Sequence, residues 1–278
     1  MIATPLVVEN FGRRYSVSGP WAVRHLSFSV PTGAVTALVG PNGSGKSTLL
    51  RGCIGFERSD EGTVFIDGID LRRSASTAVR RVGYVPQALA LYRGLTVRDH
   101  LDMARVARPA FDHDRALRLL AAVGVGPKRL IRELSGGEQA QVALALAVAT
   151  RAPLLLLDEP LANLDPLARR DFLGALFAQA RNDGTTVVLS SHLVKDIEQV
   201  SDRILVLARG QLLLDAEVSE VIAQFRVVPA DLGEGGEVVG RFTGPRGDQL
   251  TLVRSQDGGA APTLEDVVLG HLAGARDG

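Results

Sequence analysis

Apolar and polar positions along this chain alternate first with the period of strands and later with that of helices. In "LSFSV", Leu26, Phe28 and Val30 share one face, the two-residue period of a half-buried strand. "AVTALVG", ending at Gly40, is an apolar run of the type buried on both faces of a parallel sheet. "GTVFIDGID" sets Asp67-Gly68 between β-prone runs, which predicts a hairpin. From about Asp99 to Thr150 the spacing becomes helical and rich in Ala and Leu, most clearly in "DHDRALRLLAAVGV". Strand-type runs return in "LLLLD" and "TTVVLSSH", separated by a helical stretch from Pro166 to Arg181. "RILVLARGQLLLD" then reads as a hairpin turning at Arg209-Gly210. This order predicts a mostly parallel α/β core with an antiparallel β-rich N-terminal part and an α-helical insert.

After Phe225 the pattern changes. "DLGEGGE" and "QDGGAAP" are linker-like, and "VVGRFTGPRGDQLTLVRS" between them reads as a β-hairpin. "TLEDVVLGHL" has Thr263 as helix N-cap with Asp266 three residues on, a capping-box spacing. Neither internal repeats nor low-complexity tracts are visible beyond these glycine clusters.

Composition narrows the class of protein. Across 278 residues, 46% are apolar and 22% charged, which suits a soluble protein with a substantial core. Thirty-one basic residues balance thirty-one acidic ones, so no broad cationic face for nucleic acid is implied. Cys53 is the single cysteine, which excludes an intrachain disulfide and predicts a small buried hydrophobe. Glu9, Arg13 and Arg14 precede any long apolar segment, so no signal peptide is expected. "PLLLLD" and "QVALALAVAT" are too short to cross a bilayer, which takes about 20 residues.

The chemistry concentrates at "LVGPNGSGKSTLLRG". Gly40, Pro41, Asn42, Gly43, Ser44, Gly45, Lys46 and Ser47 satisfy G-x-x-x-x-G-K-S between a buried strand and a helix. The glycines let backbone N–H groups turn inward as an anion nest, and the helix start adds its positive end. Lys46 supplies charge for β- and γ-phosphates, Ser47 a hydroxyl for Mg²⁺, and Thr48 a hydroxyl toward the α-phosphate. In "LLLLDEP", Asp158 at a buried strand's end suits a metal-linked carboxylate, and Glu159 could polarise an attacking water. Helix capping by this acidic pair is the alternative. Gln87 in "GYVPQ" and His192 in "VVLSSH" also follow strand-type runs, and each alone is equally a structural residue. "LSGGE", Leu134 to Glu138, is a second anion-binding helix start, with Ser135, Gly136 and Gly137 before a long alanine-rich helix.

Taken together and in this order, "GPNGSGKST", Gln87, "LSGGE", "LLLLDEP", "NLD" ending at Asp165, and His192 resemble the nucleotide-binding subunit of ATP-binding-cassette (ABC) transporters. The resemblance covers roughly Leu6 to Ala223. It implies a P-loop ATPase domain over 1–225, a helical subdomain over about 88–150, and a small α/β extension over 226–278. It also implies that two cassettes sandwich two ATP·Mg²⁺, the signature residues Leu134 to Glu138 of each facing the other's phosphate loop. By the same resemblance, Glu159, His192, Gln87 and Lys46 act in hydrolysis, and Ser47, Gln87 and Asp158 hold the metal. Asp165 communicates across the dimer, and Tyr15 in "NFGRRY" stacks on adenine, with Trp21 the lesser alternative. Gln141, Leu146 and Glu138 depart from the family's usual residues, which leaves both a homodimer and a heterodimer open.

Such an ATPase implies a transmembrane permease as partner and a peripheral place on the cytoplasmic face of the membrane. "ALALYRGLTVRDHL", with Leu91, Tyr92 and Leu95, corresponds to the groove that receives the permease, although subdomain core explains any one of these residues equally. "LYRGLTVRDHL" and "PTLEDVVL" resemble exporters of drugs, peptides, polysaccharides or similar cargo, so export is the expected direction and import the alternative. A soluble cassette acting on nucleic acid or ribosomes is disfavoured by the neutral charge and single cassette. A nucleotide-gated clamp with little hydrolysis is a third possibility.

Overall fold

The computed structural model describes residues 4–162, 164–198, 200–230, 236–255 and 258–277. Asn163 of "NLD", and parts of both linker-like stretches (231–235 and 256–257), lie outside the described residues.

The N-terminal part is a four-stranded antiparallel sheet in the order β2-β1-β4-β5. Its strands are β1 (Leu6–Arg14), β2 (Trp21–Val30), β4 (Glu61–Ile66) and β5 (Ile69–Asp70). Leu26, Phe28 and Val30 face inward, as their spacing predicts. The turn before β5 has Asp67 at φ 51° and Gly68 at φ 76°, the paired left-handed residues of a tight hairpin.

Beside it lies a six-stranded sheet, β10-β9-β3-β8-β7-β6. β3 (Val35–Val39), β6 (Val82–Val85), β7 (Leu154–Leu157), β8 (Thr186–Ser191) and β9 (Arg203–Ala208) run parallel, and β10 (Gln211–Glu217) closes the edge antiparallel to β9. Every residue of β3, β7 and β8 is buried, which explains why those runs lack polar alternation. Because the parallel strands point the same way, Gly40, Gln87, Asp158 and His192 all follow carboxyl ends on one edge of this sheet. α1 (Lys46–Cys53) runs from the phosphate loop into the core that the two sheets share, where Cys53 is fully buried. Short α2 (Ala75–Val79) leads into β6.

The helical insert comprises α3 (Val97–Ala107), α4 (His113–Ala122) and α5 (Gly136–Ala149), with its own cluster around Leu101, Leu120, Ile131 and Val142. α3 is capped by Thr96, whose Oγ1 accepts from Asp99 N at 3.1 Å while Asp99 accepts from Thr96 N at 2.8 Å. α6 (Pro166–Asp183) connects β7 to β8, and α7 (Val194–Ile197) follows β8.

The C-terminal part is α8 (Val218–Gln224), a sheet β11-β13-β12 and α9 (Leu264–Asp277). β11 is Phe225–Pro229, β12 Glu237–Thr243 and β13 Gln249–Arg254. Thr263 and Asp266 form the expected capping box, with bonds of 2.9 and 3.1 Å. Phe225, Leu252, Leu264 and Val267 join the core cluster that contains the face of the main sheet and α6. This part is therefore packed on the parallel sheet without a separate interior. None of the helices among the described residues is long and apolar enough to cross a membrane.

Candidate active site

The phosphate loop gets its shape from glycine. Gly45 has φ 106°, and a Cβ there would lie 2.3 Å from Val23 Cγ1, so a side chain would strain the backbone and collide with β2. Lys46 is buried. Its Nζ donates to the carbonyls of Gly40 (2.7 Å) and Pro41 (3.3 Å) and pairs with Glu159 Oε1 at 3.2 Å. Gly40 and Pro41 thus hold the lysine by their backbones, while Asn42, Gly43, Ser44, Gly45, Lys46, Ser47 and Thr48 line a cleft of about 400 Å³ with Tyr15, Gln87 and Glu159. Tyr15 is mostly exposed, and its hydroxyl lies 3.0 Å from Thr48 Oγ1, so its ring stands at the cleft's mouth.

The end of β7 delivers two carboxylates with different surroundings. Asp158 Oδ1 accepts from Ser47 Oγ at 2.9 Å and from Ser190 Oγ at 3.1 Å, whereas its buried Oδ2 has no hydrogen-bond partner. Burial pushes the Asp158 carboxyl above its ordinary range despite these donors, because the charged form loses more hydration than two hydroxyls restore. Glu159 sits at φ 48°, unusual for a residue with a Cβ, and its N–H donates to Ser190 Oγ at 2.8 Å. That left-handed turn aims its carboxylate between Lys46 and His192, whose Nδ1 lies 2.8 Å from Glu159 Oε2. The structure brings residues 46, 47, 87, 158, 159 and 192 together.

Ser190 is the functional residue that residue-by-residue reading of the sequence missed. It joins the backbone of Glu159 to the side chain of Asp158, and the only sequence signal was a pair of serines interrupting "VVLSSH".

"LSGGE" opens onto a different cleft. Ser135, Gly136, Gly137, Glu138 and Gln141 line a cavity of about 970 Å³ together with Asp165 and Asp171 of the α6 region. Ser135 N donates to Glu138 Oε2 at 2.7 Å, and Ser135 Oγ accepts from Glu138 N at 3.2 Å. Arg129 also bonds Glu138 and holds its carboxyl below the usual range, which accounts for a glutamate at this position. Leu134 points into the helical subdomain's core. Asp165 caps α6, accepting from Leu167 N and Ala168 N at 3.0 Å each. Tyr92 is exposed, and its N–H donates to Nε2 of buried His100, whose Nδ1 is 2.8 Å from Thr96 O. With Nε2 accepting, His100 carries its proton on Nδ1 and fastens the loop to α3.

Residues 23–162 match the family model described as ABC transporter. A thiamine import ATP-binding protein, ThiQ of Chelativorans sp. (strain BNC1), is 37% identical, over 86% of this chain and 95% of its own length. A ferric-ion import ATP-binding protein, FbpC of Pseudomonas fluorescens, is 33% identical over 91% of this chain and 80% of its own. A lipopolysaccharide export ATP-binding protein, LptB of Haemophilus influenzae, is 30% identical over 82% of this chain and 97% of its own. A dimeric structure of MJ0796, described as a bacterial ABC transporter cassette, superimposes with a TM-score of 0.70 at 26% identity, covering 77% of this chain and 98% of that one.

Proposed function

Because this chain belongs to the ABC transporter family, as an ATP-binding and ATP-hydrolysing subunit, we propose that it powers solute uptake through a separate membrane permease, working as one of two paired cassettes. The observation that carries the reading is the single cleft that holds Lys46, Ser47, Gln87 and Glu159 at the carboxyl edge of a parallel sheet.

In this proposal the nest of residues 40–48 binds the phosphates, and Tyr15 stacks on the base. The oxygen donors Ser47, Gln87 and Asp158 fit Mg²⁺, a hard cation, and Oδ2 of Asp158 is a buried acceptor without a hydrogen-bond partner. When bound, Mg²⁺ neutralises charge on the β- and γ-phosphates. Lys46 turns from Glu159 toward the phosphates, which releases one carboxylate oxygen to take a proton from the attacking water. His192 keeps the other oxygen oriented. Ser135 to Glu138 line a separate cleft, so they complete the site of a second cassette, with Asp165 beside them. Residues 1–225 form this cassette and 226–278 its appendage. The permease places the chain on the cytoplasmic face of the membrane, and nucleic acid has no part in this reading.

Export, expected from "LYRGLTVRDHL" and "PTLEDVVL", gives way here to import. The family motifs are common to both directions, and the relatives with higher identity are named for import. Direction is tested in proteoliposomes that hold the cassette, its co-purifying permease and sealed-in ATP. Gain of external thiamine or ferric ion supports uptake, and ATP-driven loss of preloaded solute contradicts it.

A further inference from the structure

Tyr15 follows β1 directly, and the last residues of that strand build its surroundings. The guanidinium carbon of Arg13 stands over the Tyr15 ring, 5.2 Å from its centroid, within the ~6 Å reach of a cation–π contact. Arg13 is itself forked between two carboxylates. Its Nε donates to Glu57 Oε2 at 3.2 Å and its Nη1 to Asp60 Oδ2 at 3.3 Å. Asp60 also accepts from Arg14 N at 2.9 Å, and its own N–H donates to Gly12 O at 2.9 Å. The end of β1 is thus fastened to the segment between α1 and β4. The far end of the ring is held as well, because the Tyr15 hydroxyl lies 3.0 Å from Thr48 Oγ1 and donates to Glu57 Oε1 at 3.4 Å. Trp21 makes the contrast. Arg14 and Arg24 both stand over its ring, at 5.0 and 4.6 Å, and its Cζ3 would lie 3.0 Å from a Cβ at Gly12.

A ring has two faces to offer. Arg13 takes one face of Tyr15, and among the described residues no second ring or guanidinium stacks on the other. Tyr15 is 59% exposed and lines the cleft of the phosphate nest, so the open face is available to a base. We infer that Arg13, held by Glu57 and Asp60, is a positioning residue for the nucleotide base: it backs one face of Tyr15 and so presents the other, already oriented, to the cleft. This rests on the reading that Tyr15 stacks on the base. α1 starts in the phosphate loop at Lys46, and past its end the Glu57 N–H donates to Arg51 O at 3.2 Å. One short helix therefore sets both the phosphate nest and the backing of the base platform, and preorganisation of this kind shows in affinity.

The test compares ADP with inorganic pyrophosphate, which keeps the phosphates and lacks the base, by calorimetry on the full chain with Mg²⁺. Arg13→Met keeps an apolar stem and removes the guanidinium plane with both of its ion pairs. It weakens ADP about two- to fivefold, the range of an exposed cation–π contact, and leaves pyrophosphate unchanged. Tyr15→Ala also weakens ADP and not pyrophosphate. The double variant binds ADP no more weakly than Tyr15→Ala alone, because Arg13 acts only through the ring. In turnover, Arg13→Met raises the KM for ATP rather than lowering kcat. Undiminished ADP binding by Arg13→Met, equal losses of ADP and pyrophosphate, or additive losses in the double variant would overturn the inference and leave the stacking reading standing. Tyr15→Ala that binds ADP as tightly as wild type contradicts the stacking reading itself, and the inference falls with it.

Discussion

The carboxylates at the end of β7 differ because their neighbours differ. For Asp158, burial outweighs the Ser47 and Ser190 hydroxyls and the charge of Arg51, and neighbouring Glu159 adds repulsion, so its neutral form is favoured and its pKa lies above the ordinary value of about 3.9. A raised carboxyl contributes most to stability below that value, and the contribution is lost as pH climbs through the folded pKa. Asp158→Asn is therefore more stable than wild type near neutral pH in chelator, and the two melting curves converge below about pH 4. A variant equally or less stable at pH 7 argues against burial as the dominant cause. Tyr15 makes a separate prediction. Tyr15→Ala raises the KM for ATP about two- to thirteenfold, the ~0.5–1.5 kcal/mol of a stacked ring, while Tyr15→Phe stays near wild type. If Phe and Ala weaken binding alike, the hydroxyl bond to Thr48 carries the affinity and the ring does not.

Much of the site was legible at this scale because phosphate loops need particular residues, and "GPNGSGKST" has no other economical reading. Ser190 was not legible. A serine gains meaning only when β8 lies beside β7 and brings its hydroxyl to the backbone N–H of Glu159 and the side chain of Asp158.

Among the elements, the buried strands and both tight hairpins follow directly from apolar runs and from the pairs Asp67-Gly68 and Arg209-Gly210. The C-terminal elements were legible as a hairpin and a helix, but their place was not. Leu264, Val267 and Val268 look like any amphipathic stripe, and nothing in their spacing shows that the stripe packs against α7 and the main core. The loop before α3 carries the coupling prediction. Tyr92 exposes most of its ring while His100 fixes its backbone, so a charge can be placed there without unfolding the subdomain. Tyr92→Glu leaves ATP binding intact and uncouples hydrolysis from uptake. Undiminished transport by that variant would remove this loop from the permease contact.

At the scale of the whole molecule, one chain offers two incomplete halves. The phosphate loop and Glu159 line one cleft, and Ser135 to Glu138 line another alongside Asp165. If each cleft serves the other's nucleotide, the assembly that holds ATP is a pair of chains. If Glu159 activates the attacking water, it also sets how long such a pair stays closed.

The most direct test is the mass of Glu159→Gln in solution with Mg²⁺ and ATP, read by light scattering beside its turnover. A clamp of two chains predicts turnover about 100-fold below wild type or lower, and a stable species of twice 29.5 kDa that reverts to single chains with ADP. A protein that stays at 29.5 kDa with ATP bound, or one that hydrolyses ATP as fast as wild type, would contradict it.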